Sequence, residues 1–489
     1  MHKIITTFLV LVGVTSLAQS EYSSFTVTGR GGATTFATDY QTIGINPANL
    51  GWASKFEDKK VTFGLNEFTY SLHSASLSKQ ELRDQIKGLT SGSTSDFTQQ
   101  QKIDAAKSFT DAGMAMNIDY GSIGAAITTD KLGGLAFRIN DRFQFYSILG
   151  QGASEMLFLG KNAPYFDSLT IINGIDTSIV ANDGTIPDTT TILNGIANIP
   201  QMMSQILDGS RITASWYREY NISYGRKIID IEEKFALYGG IGLKYLQGFA
   251  LLDINGQADE FEAYSSVTPF LDIDYGVAAA TNPSSIAQSG ALPDAVGKGF
   301  GFDLGVNILI KDKFKIGAAL TNIGAINWTG NVYTIQDTLV YDTESEGLNN
   351  YNVASSLGEF TGENGLLKYN GEQERVTKLP GSFRLGASVV LGEKAELGID
   401  VIMPTNDEPG NIDKAIIGIG GDITPIPWVR LSAGFVTGGN YGTQVPVGIS
   451  LFAPSGAYEF GIASRDAISF FTQNGPTLSL SLGFLRFRF

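Results

Sequence analysis

PTLSLSLGFLRFRF, Pro476 to Phe489, sets the topology of the whole chain. Leu485, Phe487 and Phe489 stand two apart, and a period of 2 puts their side chains on one face of a strand. Leu478, Leu480, Leu482 and Phe484 alternate in the opposite phase. A bulge or twist near Phe484–Leu485 would reconcile the two halves, which leaves the register of this strand open. Counting backwards from Phe489 assigns a side to every earlier connection of the chain.

The other end reads as an export signal. Met1-His2-Lys3 precedes an apolar run from Ile4 to Leu17, and the small residues Ser16 and Ala18 fit cleavage before Gln19. That run is too short to span a bilayer. Residues 1–18 are therefore expected to be a signal peptide. The chain has no Cys, which excludes disulfides, thiol lipidation and thiolate metal sites. Nothing after the signal approaches 18 consecutive apolar residues, the length at which a membrane helix is read. Even so, the sequence is 43% hydrophobic and holds 58 Gly, 30 Phe and 19 Tyr against 15 Pro, the make-up of a large antiparallel β protein.

Alternating segments occur near 61–73, 115–129, 132–148, 212–230, 234–252, 299–311, 314–328, 381–392, 394–404, 413–424, 427–438, 444–454, 456–465 and 477–489. Phe300, Phe302, Leu304, Val306 and Ile308 alternate with Gly301, Asp303, Gly305 and Asn307, so one face is greasy and the other carries charge and glycine. Short turns fall at Thr129–Leu132, Ile231–Glu233, Asp312–Lys313, Gly392–Glu393, Pro425–Ile426 and Ala453–Ser455. Long connections fall at 74–114, 149–211, 253–298 and 329–380, with modest ones at 405–412, 439–443 and 466–476. Short and long alternate without exception. Short periplasmic turns and long extracellular loops are the asymmetry of outer-membrane barrels, and an even strand number leaves no edge in lipid.

The fold expected is thus an all-β, closed antiparallel transmembrane β-barrel of about 14 strands over residues 61–489, behind an N-terminal segment at 19–60. The apolar phase also flips near Gly121–Ser122 and between Leu65 and Phe68, where bulges are expected. Residues 258–276 read as a further strand, which parity places in a loop excursion and not in the wall. Short helices are expected in the long connections, at Lys79–Ile86 and Gln99–Phe109 as solvated amphipathic pieces.

Gly297–Trp328, the segment GINPANLGW, Leu379–Leu391 and the terminal Phe489 together resemble the FadL/PorV-type outer-membrane barrels, over nearly the whole chain outside the long loops. Within that resemblance Asn46-Pro47-Ala48, followed by Asn49, matches the hatch, a piece of chain tucked inside the barrel. The resemblance implies fourteen strands, a Gram-negative outer-membrane location and a terminal aromatic, here Phe487 and Phe489, that serves as the insertion signal read by the barrel-assembly machinery. It implies either a conduit or binding protein for hydrophobic small molecules, or a non-transporting PorV-like accessory subunit of an export or assembly complex.

Residue chemistry points away from catalysis. His73 is the single His after the signal, with no visible Ser-His pairing. Asp253-Ile254-Asn255-Gly256 lacks the ligand spacing of a calcium loop. Gly299-Phe300-Gly301 sits inside strand alternation with no helix after it, so no nucleotide site is read. No metal, cofactor or enzyme activity is expected. The net charge of −15 with no basic stripe speaks against nucleic acid. Alternation turns Arg138, Arg142, Arg384 and Arg430 inward with Glu219, Asp303, Glu396, Asp400, Asp422 and Glu459, as a lumen lining. Ile192, Ile196, Ile199, Met203 and Ile206, beside Met202 and Leu207, fall at helical spacing interrupted by Pro200. This apolar helical face would pack over the mouth, line a ligand groove or dock a protein partner. Lipid is the remaining partner expected.

Overall fold

The structure is a computed structural model that describes residues 24–489 apart from 33, 58, 82–96, 185–190, 232–233, 258–259, 350–366, 393 and 473–476. The signal-peptide reading lies outside the described residues, as does most of the helix expected over Lys79–Ile86.

Fourteen strands make the wall: β1 (Val61–Ser74), β2 (Met114–Thr129), β3 (Gly133–Ile148), β4 (Ser210–Ile231), β5 (Phe235–Gln257), β6 (Gly297–Ile310), β7 (Phe314–Trp328), β8 (Ser382–Leu391), β9 (Ala395–Pro404), β10 (Ile416–Ile426), β11 (Val429–Gly438), β12 (Val447–Phe452), β13 (Tyr458–Ser464) and β14 (Thr477–Arg488). Each pairs antiparallel with the next in sequence. β14 then returns to β1, with Phe63 opposite Phe487 and Leu72 opposite Leu478. The barrel is closed, and every alternating segment of the sequence is one of its strands.

Alternation sets the two faces. On β6, Phe300 is 72% exposed and Phe302, Leu304 and Val306 are exposed as well, while Asp303 and Asn307 between them are fully buried. Ile241 and Leu243, Leu397 and Ile399, Ile417 and Ile419, and Leu431 and Phe435 continue that exposed apolar band around the outside. Water would penalise such a belt; hydrocarbon accepts it, so the wall spans a membrane.

The three expected phase flips are real irregularities at one height of the wall. The β2–β3 register shifts between Gly121 and Ile123. Asn66 of β1 takes φ 52°, with Leu65 and Glu67 paired on either side of it. The β13–β14 register shifts between Glu459 and Gly461, opposite Phe484 and Leu485. On β1 the inward residues are Thr62 and Gly64 below the break and Glu67, Thr69 and Ser71 above it. The bulge belt thus lets these strands change which residues look inward without leaving the ladder.

On the long-loop side the chain folds into a canopy. Strand Glu260–Val267 pairs with the top of β5 and with Val332–Ile335, outside the closed ring. It is therefore the loop strand that parity required. A separate four-stranded sheet runs in the order Leu339–Thr343, Ile192–Met202, Ser168–Asn173, Asp176–Ala181. Two helices, α1 (Gln99–Phe109) and α2 (Gln151–Leu159), pack between this sheet and the barrel mouth. Thr98 and Gln101 close a capping box at the start of α1, which fixes where that helix begins. α1 is not merely solvated, because Ala105, Ala106 and Phe109 are buried in the roof.

The expected helix over residues 192–206 is corrected. Ile192–Met202 is a strand, and only Met203–Ile206 makes one helical turn. Residues four apart share a face in a strand as well as in a helix. Pro200 would remove a hydrogen bond from a helix interior, and β-branched Ile favours the extended form.

Candidate functional site

The described residues between 24 and 57 lie inside the barrel. Their seat is a ring of glycines, one from each of the fourteen strands: Gly64, Gly124, Gly134, Gly225, Gly240, Gly305, Gly317, Gly386, Gly398, Gly418, Gly434, Gly448, Gly461 and Gly483. A Cβ at thirteen of them would press on the enclosed segment, while at Gly448 it would press on Ser432 and reach Gly29 in ordinary contact. Gly64 and Gly124 receive the Tyr40 ring, Gly225 and Gly240 the Pro47 backbone, and Gly461 and Gly483 the Phe25 ring. Glycine in a strand interior here marks close approach of another chain segment, and the wall is shaped to its filling.

Asn46, Pro47, Ala48 and Asn49 sit in the middle of this contact. Pro47 opens a short 3₁₀ turn whose N-cap is Asn46, the Asn46 carboxamide oxygen accepting from the Ala48 N–H at 3.1 Å. The Asn46 and Asn49 side chains both bond the carboxamide of Asn307 at 2.7 Å, and the Asn49 amide donates to the Thr34 carbonyl at 3.0 Å. Asn46, Ala48 and Asn49 are fully buried.

The inward charges form a lattice that joins wall to wall and wall to the enclosed segment. Arg142 Nε lies 2.9 Å from Asp119 and its Nη1 3.8 Å from Glu219, while Arg138 lies 3.2 Å from Glu67. Lys244 and Asp303, both wholly buried, are 3.0 Å apart. Lys315 reaches Glu396 at 2.9 Å. Toward the enclosed segment, Asp400 accepts from the Thr34 N–H and hydroxyl at 2.9 and 3.0 Å, and Asp422 pairs with Arg30. Glu459 is held by Arg486, with Arg430 and Arg488 at 4.0 and 3.8 Å. Arg384 is buried on the same inner face.

Sequence reading missed part of this lattice. Arg486 and Arg488 of the terminal strand pair with Asp39 and Glu57 of the enclosed segment. The signal for them was present, since Arg486 and Arg488 alternate with the outward Phe487 and Phe489 and so must point in. Phe487 is half-buried beside Tyr458, with ring centroids 5.6 Å apart, and Phe489 is exposed beyond the end of β14. The Phe489 carbonyl accepts from the N–H groups of Lys60 and Val61. The last residue is thus bonded to the start of the first strand.

Above the enclosed segment the mouth is roofed by an apolar cluster. Leu72 and Met116 rise from the wall, Phe109 comes from α1, and Met156 and Phe158 come from α2. Met203 and Ile206 complete it. Of the residues expected on one helical face, Ile192, Met203 and Ile206 are buried, Ile196 and Met202 are half-buried, and Leu207 packs at the cluster edge. Ile199 points away and is 82% exposed. His73 is half-buried at the top of β1, its Nδ1 2.9 Å from the Thr477 hydroxyl.

Beside the roof, between α1 and α2, opens a cleft of about 610 Å³. Ile103, Ala106, Leu159, Leu169 and Ile192 give it an apolar floor, while Gln99, Lys107, Gln151, Glu155 and Asn182 stand at its lip. Ile103, Ala106 and Lys107 fall on one face of α1 and Gln151, Glu155 and Leu159 on one face of α2, as helical spacing requires.

These features define a class: a closed transmembrane barrel of fourteen strands, filled by its own N-terminal segment and roofed by folded loops. The chain belongs to DUF5723, a family of unknown function, whose model matches residues 189–453. No curated protein matches it. Among solved structures it is similar to the TodX deltaS2S3 mutant monoaromatic hydrocarbon channel, at 10% identity over 96% of this chain and 99% of that one, with a TM-score of 0.49. It is similar also to the P. putida toluene transporter TodX, at 10% identity over 96% and 98% with a TM-score of 0.44. A Pseudomonas aeruginosa FadL homologue aligns at 10% identity over 96% and 97% with a TM-score of 0.39.

Proposed function

We propose that the protein is an integral barrel of a Gram-negative outer membrane that captures an apolar small molecule on its extracellular side. The observation that carries this reading is the cleft between α1 and α2. Its volume of about 610 Å³ is within the usual range of ligand pockets, and it joins an apolar floor to a few polar groups at the lip. Lys107 and Glu155 give the lip both signs of charge, which suits a greasy body with one polar end. The enclosed N-terminal segment, seated against all fourteen strands, favours binding at the canopy over an open axial pore. The reading is tested by purifying the protein from native membranes, extracting it with organic solvent and titrating an environment-sensitive apolar dye. Dye binding that is lost in Ala106→Trp, which fills the floor, supports capture. A stoichiometric protein partner with no extractable ligand, or dye binding indifferent to Ala106→Trp, overturns it.

A further inference from the structure

We infer that the outer four-stranded sheet is a docking edge for an extended cationic segment of a partner protein, which adds to it as a fifth strand. Among the described residues no strand pairs with the far side of Asp176–Ala181, the last strand in the sheet order. Natural edges are guarded by Lys, Pro, bulges or covering chain, because an unpaired ladder is a template for another strand. Asp176–Ala181 reads DTSIVA, with neither Lys nor Pro, and is paired in unbroken register with Ser168–Asn173.

The edge is also greasy. Ile175 is 98% exposed and Ile179 67% exposed. Ile179 lies opposite Thr170, and Ile172, two residues on and 39% exposed, shares its face. Leu169 on the opposite face is buried. An added strand would therefore find backbone groups along the edge and an apolar strip for alternate side chains, the two elements of strand addition.

Charge selects the occupant. The sequence has no Lys, Arg or His from Asn162 to Ser210, nor from Asn331 to Asn349, and these two stretches supply all four strands of the sheet. In sequence they carry Asp167, Asp176, Asp183, Asp188 and Asp208, and Asp337, Asp342, Glu344 and Glu346. The basic groups placed against them come from outside these stretches: Lys161 is buried and paired with Glu346, Lys102 is buried and donates to the Glu346 carbonyl, and Lys107 stands at the cleft lip, away from the edge strand. A field of one sign repels a second copy of the same edge and the anionic head groups of lipid, and it attracts a strand that alternates apolar with Lys or Arg. This inference is independent of whether the cleft between α1 and α2 holds a ligand.

The test uses the full-length protein in detergent and short fluorescent peptides followed by anisotropy. The probes are a peptide alternating Ile and Lys, its Ile/Glu counterpart, and the Ile/Lys peptide with a central Pro. The Ile/Lys peptide is expected to bind, to weaken as salt rises, and to lose at least about tenfold in affinity against Ile179→Lys or Asp176→Lys, each a change at an exposed site. Both variants should keep the gel shift on heating that marks a folded barrel. Equal binding of the Pro-containing peptide would reduce the effect to charge and overturn strand addition. Equal binding of the Ile/Glu peptide, absence of binding by the Ile/Lys peptide, or self-association of the protein through an Ile179→Cys crosslink would each overturn the inference too.

Discussion

Adding one methyl group to the lumen side of β5 is the sharpest probe of how the barrel is filled. A Cβ at Gly240 would lie 2.6 Å from the Pro47 carbonyl oxygen and closer still to the Pro47 carbonyl carbon, where 3.4 Å is ordinary contact. At that carbon, 2.3 Å away, the shortfall is about 1.1 Å, and it falls on backbone, which cannot rotate aside. That backbone is pinned by the bonds of Asn46 and Asn49 to Asn307, so the turn at Pro47 must break them or strain. Overpacking of this kind costs about 1–3 kcal/mol. Gly239, the next residue, is the matched control. Its Cβ would meet Ile228 Cδ1 at 2.6 Å, the free end of a side chain that is 62% exposed and can turn away. Gly239→Ala should therefore stay within about 0.5 kcal/mol of the parent. The assay is the temperature at which the compact band on an unboiled SDS gel converts to the unfolded one. Equal midpoints for Gly240→Ala and Gly239→Ala would refute the claim that the wall is fitted to residues 24–57.

Other outcomes follow from the same geometry. Arg486→Ala leaves Asp39 and Glu459 buried without their shared partner and should cost about 3–5 kcal/mol, read from the same midpoint, with Arg486→Lys restoring part of it. Deleting Phe489 removes the carbonyl that receives Lys60 and Val61, and should lower the fraction of protein inserted into membranes; unchanged insertion would refute a role in assembly. In the loop after β9, burial pushes the Glu408 carboxyl above its usual value, opposed by Lys378. The folded state then holds that proton more tightly than the unfolded chain, so this group's contribution to stability falls as pH rises from the ordinary glutamate value. Glu408→Gln should flatten that dependence, measured as the difference in midpoint between about pH 4 and pH 7.

The wall was legible because strand alternation and connection length are both local signals, and closure makes them consistent with each other. Asp303 and Glu459 could be placed inward by counting alone. The canopy was not legible for the opposite reason. Ile192 and Ile196, four apart, satisfy helix and strand spacing alike, and what decides between them is a pairing with Leu339–Thr343, well over a hundred residues away in sequence. Helix α2 escaped for a related reason, since QGASEMLFL is mostly apolar and buries Ala153, Met156, Phe158 and Leu159 around much of its circumference. The glycine ring lay in plain view as strand glycines, yet most of them are explained by a hatch residue such as Phe25 or Thr34 that strand alternation does not reveal.

That ring has a consequence for how such a protein can change over time. The wall is a cast of a segment only some thirty residues long, so the two cannot drift separately. A bulkier side chain near Phe25 has no room unless Gly461 and Gly483 yield, and both already have nothing left to lose. Substitutions should therefore concentrate on the outward face and in the canopy, where neighbours are lipid or solvent. Among relatives, the lengths and sequences of the long loops are free to diverge around an inner surface that stays in register with the first residues of the chain.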